Sequence, residues 1–248
     1  MIRNFINALQ FLTIFTVSRK QRPAEGDLAK SLPYFPAVGF LIGLCLVYAD
    51  QALAWVLPHT ISNALLVLLA IVLTRALHVD GLADTLDGFM GGADREAKLR
   101  IMKDSSIGTA GAIGIIFLLF LKYLSLNILF SDNKTAALLM APLLGRWSQT
   151  LMVFRAAYAR ENGMGRAFSG RLGTSGMIAA AVVAIVLSAF VAGLWALVFV
   201  PSVLIVALLA RWYIVRALGG VTGDTVGAVS ELSETLVLLL CVVIFGGG

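Results

Sequence analysis

Apolar residues fall along this chain in long blocks separated by polar interruptions, with no sustained alternation of period two. Seven blocks, at about 36–57, 61–77, 108–130, 135–157, 176–194, 198–217 and 232–245, read as spans, several of them reaching the roughly 20 residues a helix needs to cross a bilayer. Backbone in lipid must satisfy its own hydrogen bonds, so these blocks are expected as helices; a β-barrel would show ten-residue alternating segments instead. The stretch 2–16 differs, because Phe5, Ile6, Leu9, Leu12 and Phe15 recur at helical spacing while Asn4, Asn7 and Gln10 occupy the other face. It is too short and too polar on one side to span, and predicts an amphipathic helix in the membrane interface over 1–17. The expected fold is thus an all-α polytopic membrane protein, a single domain over 1–248 with about seven transmembrane helices and an N-terminal interfacial helix.

Composition agrees with this pattern. Of 248 residues 59% are hydrophobic and only 13% charged, where a soluble domain carries about 25%; mean hydropathy is +0.92. The net charge of +5 is spread over membrane-flanking segments rather than gathered in one patch, so no nucleic-acid partner is expected. Cys45 and Cys241 sit far apart in apolar runs and suggest neither a disulfide nor a metal knuckle, and no cleavable signal peptide is expected.

The turns after the first, third and fifth spans are short, whereas the returns 78–107, 158–175 and 218–231 are longer and polar. Of the 19 Lys and Arg, Lys134 falls in an outer turn and Lys122 and Arg146 within spans; the other 16 share the face of the N-terminus and those three returns. By the positive-inside rule that face is cytoplasmic, in a multi-pass inner-membrane protein. Twelve of the 14 acidic residues are placed there too, leaving Asp50 and Asp132 elsewhere. Charge sorting for topology does not demand that acidic bias; chemistry does. Lys122 and Arg146 are expected to point into the bundle, or towards Asp50 or a polar cavity, since a charge facing hydrocarbon costs a few kcal/mol.

The densest acidic stretch is HVDGLADTLDG, residues 78–88, with Asp80, Asp84 and Asp87 spaced i, i+4, i+7. On a continuous helix they line one face, close enough to share divalent cations, and like charges so close resist ionising together without one. An all-oxygen donor set suits Mg²⁺, which commonly completes its shell with substrate phosphates. A solvated acidic loop is the simpler alternative. His78 precedes the cluster as a polar contact to substrate, with no second histidine nearby to suggest zinc. In RIMKDSSIGTAGAIG, Lys103, Asp104 and Ser105 lead into Gly108, Thr109 and Gly111, small residues whose amides at a helix start can receive an anionic group or simply allow tight packing. GRWSQ places Arg146 inside a span, and YARENGMGRAFSGR supplies Arg160, Arg166 and Arg171. GGVTGDTVGAVSE sets Asp224 beside Thr222 and Gly223, weak evidence by itself and equally a turn. Together these segments point to metal-assisted chemistry on a phosphorylated substrate at the cytoplasmic membrane face.

In their order, HVDGLADTLDG, IMKDSSIGTAG, GRWSQ with YARENGMGRAF, and GGVTGDTVGAVSELSE resemble the adenosylcobinamide-GDP ribazoletransferase (cobalamin synthase) family, and YFPAVGFLIG fits its first span. The resemblance covers nearly the whole chain. One departure is Ser106, where many members carry arginine after the Asp-Ser pair. The resemblance implies a transferase that joins α-ribazole, or its 5′-phosphate, to adenosylcobinamide-GDP. The ribose 3′-hydroxyl attacks, the cobinamide-side phosphate is transferred, GMP leaves and Mg²⁺ is required. It casts Asp80, Asp84 and Asp87 as catalytic, these three with Asp104 and Asp224 as metal ligands, and His78, Lys103, Ser105, Arg146, Arg160, Thr222 and Gly223 as substrate contacts. A CDP-alcohol phosphatidyltransferase-like enzyme is the alternative, since Asp84-x-x-Asp87-Gly88 opens as that motif does, but its second aspartate pair is missing. A transporter would place its acids near the bilayer midplane.

Overall fold

The computed structural model describes residues 1–17, 28–160, 163 and 171–246. Ten α-helices order the described chain: α1 Ile2–Leu12, α2 Phe35–Leu53, α3 His59–Leu73, α4 Leu77–Gly91, α5 Arg95–Ile101, α6 Thr109–Ile128, α7 Ser131–Val153, α8 Thr174–Ala192, α9 Ala196–Leu218 and α10 Gly223–Phe245. No strand is present among the described residues. Four stretches are long and apolar enough to cross a membrane: Leu32–Leu53, Thr109–Ile128, Thr174–Leu218 and Gly223–Phe245. The bent pair α3 and α4 raises the number to as many as five.

α7 is the axis of the bundle. From Ala137 to Val153 every residue of it is buried, beneath α2, α8, α9 and α10. Glycine lets α2 approach it closely: a methyl group at Gly43 would lie 2.8 Å from the Leu138 carbonyl oxygen, and one at Gly39 would strike that of Pro142. Without an aqueous driving force inside lipid, such backbone-to-backbone packing is a main source of helix association. α6 shows the matching inside-out pattern, with Ile113, Phe117 and Phe120 exposed while Lys122 and Ser125 are buried.

Lys122 and Arg146 do point inward, as expected, but towards acids that the charge pattern had assigned to the cytoplasmic face. Lys122 Nζ donates to Glu231 Oε2 and Glu234 Oε2, each at 2.6 Å, and Arg146 Nη1 donates to Glu234 Oε1 at 2.5 Å and Ser230 Oγ at 2.9 Å. Two cations and two anions thus neutralise one another where α6, α7 and α10 meet. Asp50 pairs instead with Lys134, at 2.5 Å, joining the end of α2 to the start of α7.

Two predicted boundaries change. The segment from 78 is not loop: α3 stops at Leu73, Arg75 and Ala76 take left-handed backbone angles (φ 54° and 56°), and α4 leaves at 87° to α3. Asp80, Asp84 and Asp87 therefore lie on a helix. α10 starts at Gly223, not near 232, because Thr222 caps it; its side chain accepts from Thr225 N while Thr225 Oγ1 accepts from Thr222 N. α1 docks on the bundle, burying Ala8 and Leu12 and stacking Phe11 on Phe35 with centroids 6.1 Å apart. Arg75 holds its C-terminal end by donating to the carbonyls of Gln10 and Phe11.

Candidate active site

The bend after α3 lays α4 across the start of α10, and two glycines set the distance. A methyl group at Gly81 would stand 2.8 Å from the Asp224 carbonyl oxygen, and one at Gly227 would stand 3.2 Å from His78 Cα. Asp80 and Asp84 on α4 thereby become electrostatic neighbours of Asp224 on α10.

The chain after α7 is stitched to the same place. Ala159 N donates to the Val221 carbonyl and Val221 N to that of Ala157, both at 2.9 Å. Arg95 on α5 clamps this junction, with Nε on the Leu218 carbonyl and Nη2 on that of Ala159, each at 2.8 Å. Arg160 is left beside Asp224, with Nη2 2.7 Å from Oδ2, and reaches the Met102 carbonyl at 3.2 Å. One guanidinium therefore ties together the three polar segments that the sequence placed on one face.

Between these elements lies a pocket of about 950 Å³ of open space. His78, Asp80, Arg160, Thr222, Gly223 and Asp224 line it, so six of the candidate residues converge there. Phe11, Leu32 and Phe35 add apolar surface to the same lining. Thr222 is buried and occupied as the α10 cap, so it shapes the rim rather than presenting a free hydroxyl.

The other candidates fall elsewhere. Asp87 Oδ2 accepts from Gly108 N at 2.7 Å and Oδ1 from Gly111 N at 2.8 Å, so the anion received by the start of α6 is the protein's own carboxylate. A methyl group at Gly108 or Gly111 would strike that carboxylate, which accounts for the small residues there. Lys103, Asp104 and Ser105 are exposed and do not line the pocket. Asp104 accepts from Ser106 N at 2.9 Å, a bond that holds its carboxyl below the usual carboxylate range. Arg146, expected to touch substrate, is only 2% exposed and committed to Glu234 and Ser230. Arg166 lies outside the described residues.

Sequence reasoning missed Glu234, Arg95 and Gln149. Charge balance was the signal for the first: two cations inside a bundle require buried acids, and Glu231 and Glu234 sit i, i+3 where α10 turns apolar. Arg95 and Gln149 carry no pattern of their own.

Comparison with known proteins follows the same lines. Residues 4–242 match the family described as cobalamin-5-phosphate synthase. The chain belongs to that family. Among cobalamin-5-phosphate synthase relatives, the adenosylcobinamide-GDP ribazoletransferase of Geotalea daltonii is 38% identical over 246 residues, covering 99% of both chains. That of Alkaliphilus metalliredigens is 33% identical over 100% of this chain and 98% of its own. The Roseiflexus sp. protein of the same name is 38% identical over 93% of this chain and 86% of its own. No solved structure matches.

The donor chemistry of the pocket suits a hard divalent cation: its acidic lining residues, Asp80 and Asp224, offer only carboxylate oxygen, and Asp84 is an electrostatic neighbour of both. Among the described residues no three His, Cys, Asp or Glu side chains converge to hold a metal by themselves. That arrangement is compatible with Mg²⁺, which typically takes one or two carboxylates and fills its shell with water and substrate phosphate.

Proposed function

We propose that the protein joins α-ribazole, or its 5′-phosphate, to adenosylcobinamide-GDP with release of GMP, and that the pocket between α4 and α10 is where it does so. The observation that carries this reading is that Asp80, Asp224 and Arg160 line one pocket together with the apolar Phe11, Leu32 and Phe35, with Asp84 an electrostatic neighbour of all three charged groups. A diphosphate donor needs charge neutralisation at such a site, and a nucleoside acceptor needs an apolar surface for its base.

Asp80 and Asp224, which line the pocket, would hold Mg²⁺ with the charge of Asp84 nearby, and the bound ion would neutralise the diphosphate and polarise the transferring phosphorus centre. Arg160 pairs with Asp224 and is placed to exchange that carboxylate for a phosphate oxygen, a planar guanidinium being well matched to either. The acceptor ribose oxygen forms a bond to the cobinamide-side phosphorus as its proton is released. The bridging oxygen departs with GMP. Asp87 acts one step back, holding the start of α6 against α4.

Seven spans with a docked interfacial α1, in the inner membrane with the pocket rim cytoplasmic, complete the proposal. Its support is the concentration of Lys and Arg on that face. The direct test is GMP release by purified, lipid-reconstituted protein given adenosylcobinamide-GDP, α-ribazole and Mg²⁺. No GMP above the level of a heat-inactivated control would overturn it.

A further inference from the structure

Two buried side-chain nitrogens of the pocket lining have no hydrogen-bond partner among the described residues. Gln149 on α7 is 2% exposed and its Nε2 makes no hydrogen bond; His78 on α4 is 3% exposed and its Nδ1 makes none. Both line the same space as the stacked Phe11–Phe35 pair and Leu32. Buried polar groups are ordinarily satisfied, so two orphans beside an aromatic wall mark a place built for a ligand that supplies the missing bonds.

Resting on the proposed function, we infer that this part of the pocket takes the heteroaromatic base of the acceptor nucleoside, with Gln149 as a specificity-determining residue that donates its amide N–H to the base's free ring nitrogen. The base of α-ribazole is a dimethylated benzimidazole: a flat apolar bicycle with one acceptor nitrogen, once the other bears ribose, and no donor. One amide donor within an aromatic and aliphatic wall is its complement. The guanine of the other substrate presents several donors and acceptors along its edges, and a wall of Phe11, Leu32 and Phe35 would leave most of them unpaired. His78 and Asp80 line the same pocket, which leaves the His78 Nδ1 to the sugar and the ribose hydroxyls directed towards the acidic residues. The nucleoside thus runs from Gln149 to Asp80, base inward and nucleophile outward.

The test uses α-ribazole and its indole counterpart, in which C–H replaces the acceptor nitrogen, with saturating adenosylcobinamide-GDP and GMP release as the readout. For the wild type, kcat/KM with the indole nucleoside should fall at least about tenfold, the cost of leaving a buried donor unpaired. In Gln149→Met, which keeps the length and loses the donor, KM for α-ribazole should rise about tenfold. KM for adenosylcobinamide-GDP should stay within about twofold, and the two nucleosides should become equivalent. Equal use of both nucleosides by the wild type overturns the inference, and that arm stands even if Gln149→Met does not fold. A rise in KM for adenosylcobinamide-GDP rather than for α-ribazole overturns it as well, by giving this part of the pocket to the other substrate. Absence of GMP release by the wild type with α-ribazole would instead overturn the proposed function, and this subsite with it.

Discussion

Arg160 donates to Asp224 across 2.7 Å, and this contact joins the segment after α7 to the first turn of α10. Both side chains are about a fifth exposed, so the pair is held by geometry and remains reachable from the pocket. Arg160→Ala should lower GMP release about tenfold or more while leaving the melting temperature within a few degrees, since partly exposed ion pairs contribute little stability. Arg160→Lys should recover only part of the rate, because lysine lacks the planar fork. Near wild-type turnover by Arg160→Ala would remove the guanidinium from the mechanism.

Asp84 and Asp87 should separate by what they lose. Asp84→Asn removes a charge coupled to Asp80, Asp224 and Arg160 without breaking a described hydrogen bond, so folding is spared and GMP release falls about a thousandfold, at 1.36 kcal/mol per factor of ten. Asp87→Asn turns an amide NH₂ towards the Gly108 or Gly111 N–H. It should cost about 1–3 kcal/mol of stability, read as a lower melting temperature in detergent. Equal stability loss in both variants would contradict the division into coupled charge and support.

Asp104 offers a contrast within the same sequence motif. It is exposed and away from the pocket, so Asp104→Asn should keep GMP release within about twofold of wild type. A loss comparable with that of Asp84→Asn would return it to the metal-binding set.

Lys122→Met should be far more damaging than any exposed substitution. Among the described residues it leaves Glu231 with no cation partner and Glu234 with only Arg146, and breaking a buried pair typically costs about 3–5 kcal/mol. Size-exclusion chromatography of the solubilised variant should show loss of the monodisperse peak. Lys122→Met combined with Glu231→Gln, which removes one charge of each sign, should recover it in part; no recovery would show that the charges do more than balance each other.

Orientation is checked at Ala93, an exposed residue between α4 and α5. A lone cysteine there should resist an impermeant thiol reagent in intact cells and react after permeabilisation. Labelling of intact cells would place the pocket rim on the other side of the membrane.

Much of this protein is determined by sequence alone, because hydropathy, helical spacing and charge sidedness act through the neighbouring turns of a single helix. Those signals placed several of the membrane-length helices, the amphipathic α1, the i, i+4, i+7 row of aspartates and the inward turn of Lys122 and Arg146, although fewer candidate spans stand than the seven expected. The ordered motifs carried the family. What tertiary structure decided is where the backbone breaks and which partner each charge meets. The left-handed Arg75 and Ala76 turn α4 onto α10, and that crossing, spaced by Gly81 and Gly227, makes neighbours of Asp84 and Asp224, 140 positions apart. The same packing gives the amides of Gly108 and Gly111 to Asp87, seals Arg146 against Glu234 and leaves Asp104 in solvent. Aspartates within one acidic pattern thus acquire different roles, because a carboxylate's chemistry is set by the donors and charges within a few ångströms, and in a folded chain most of those arrive from elsewhere in the sequence.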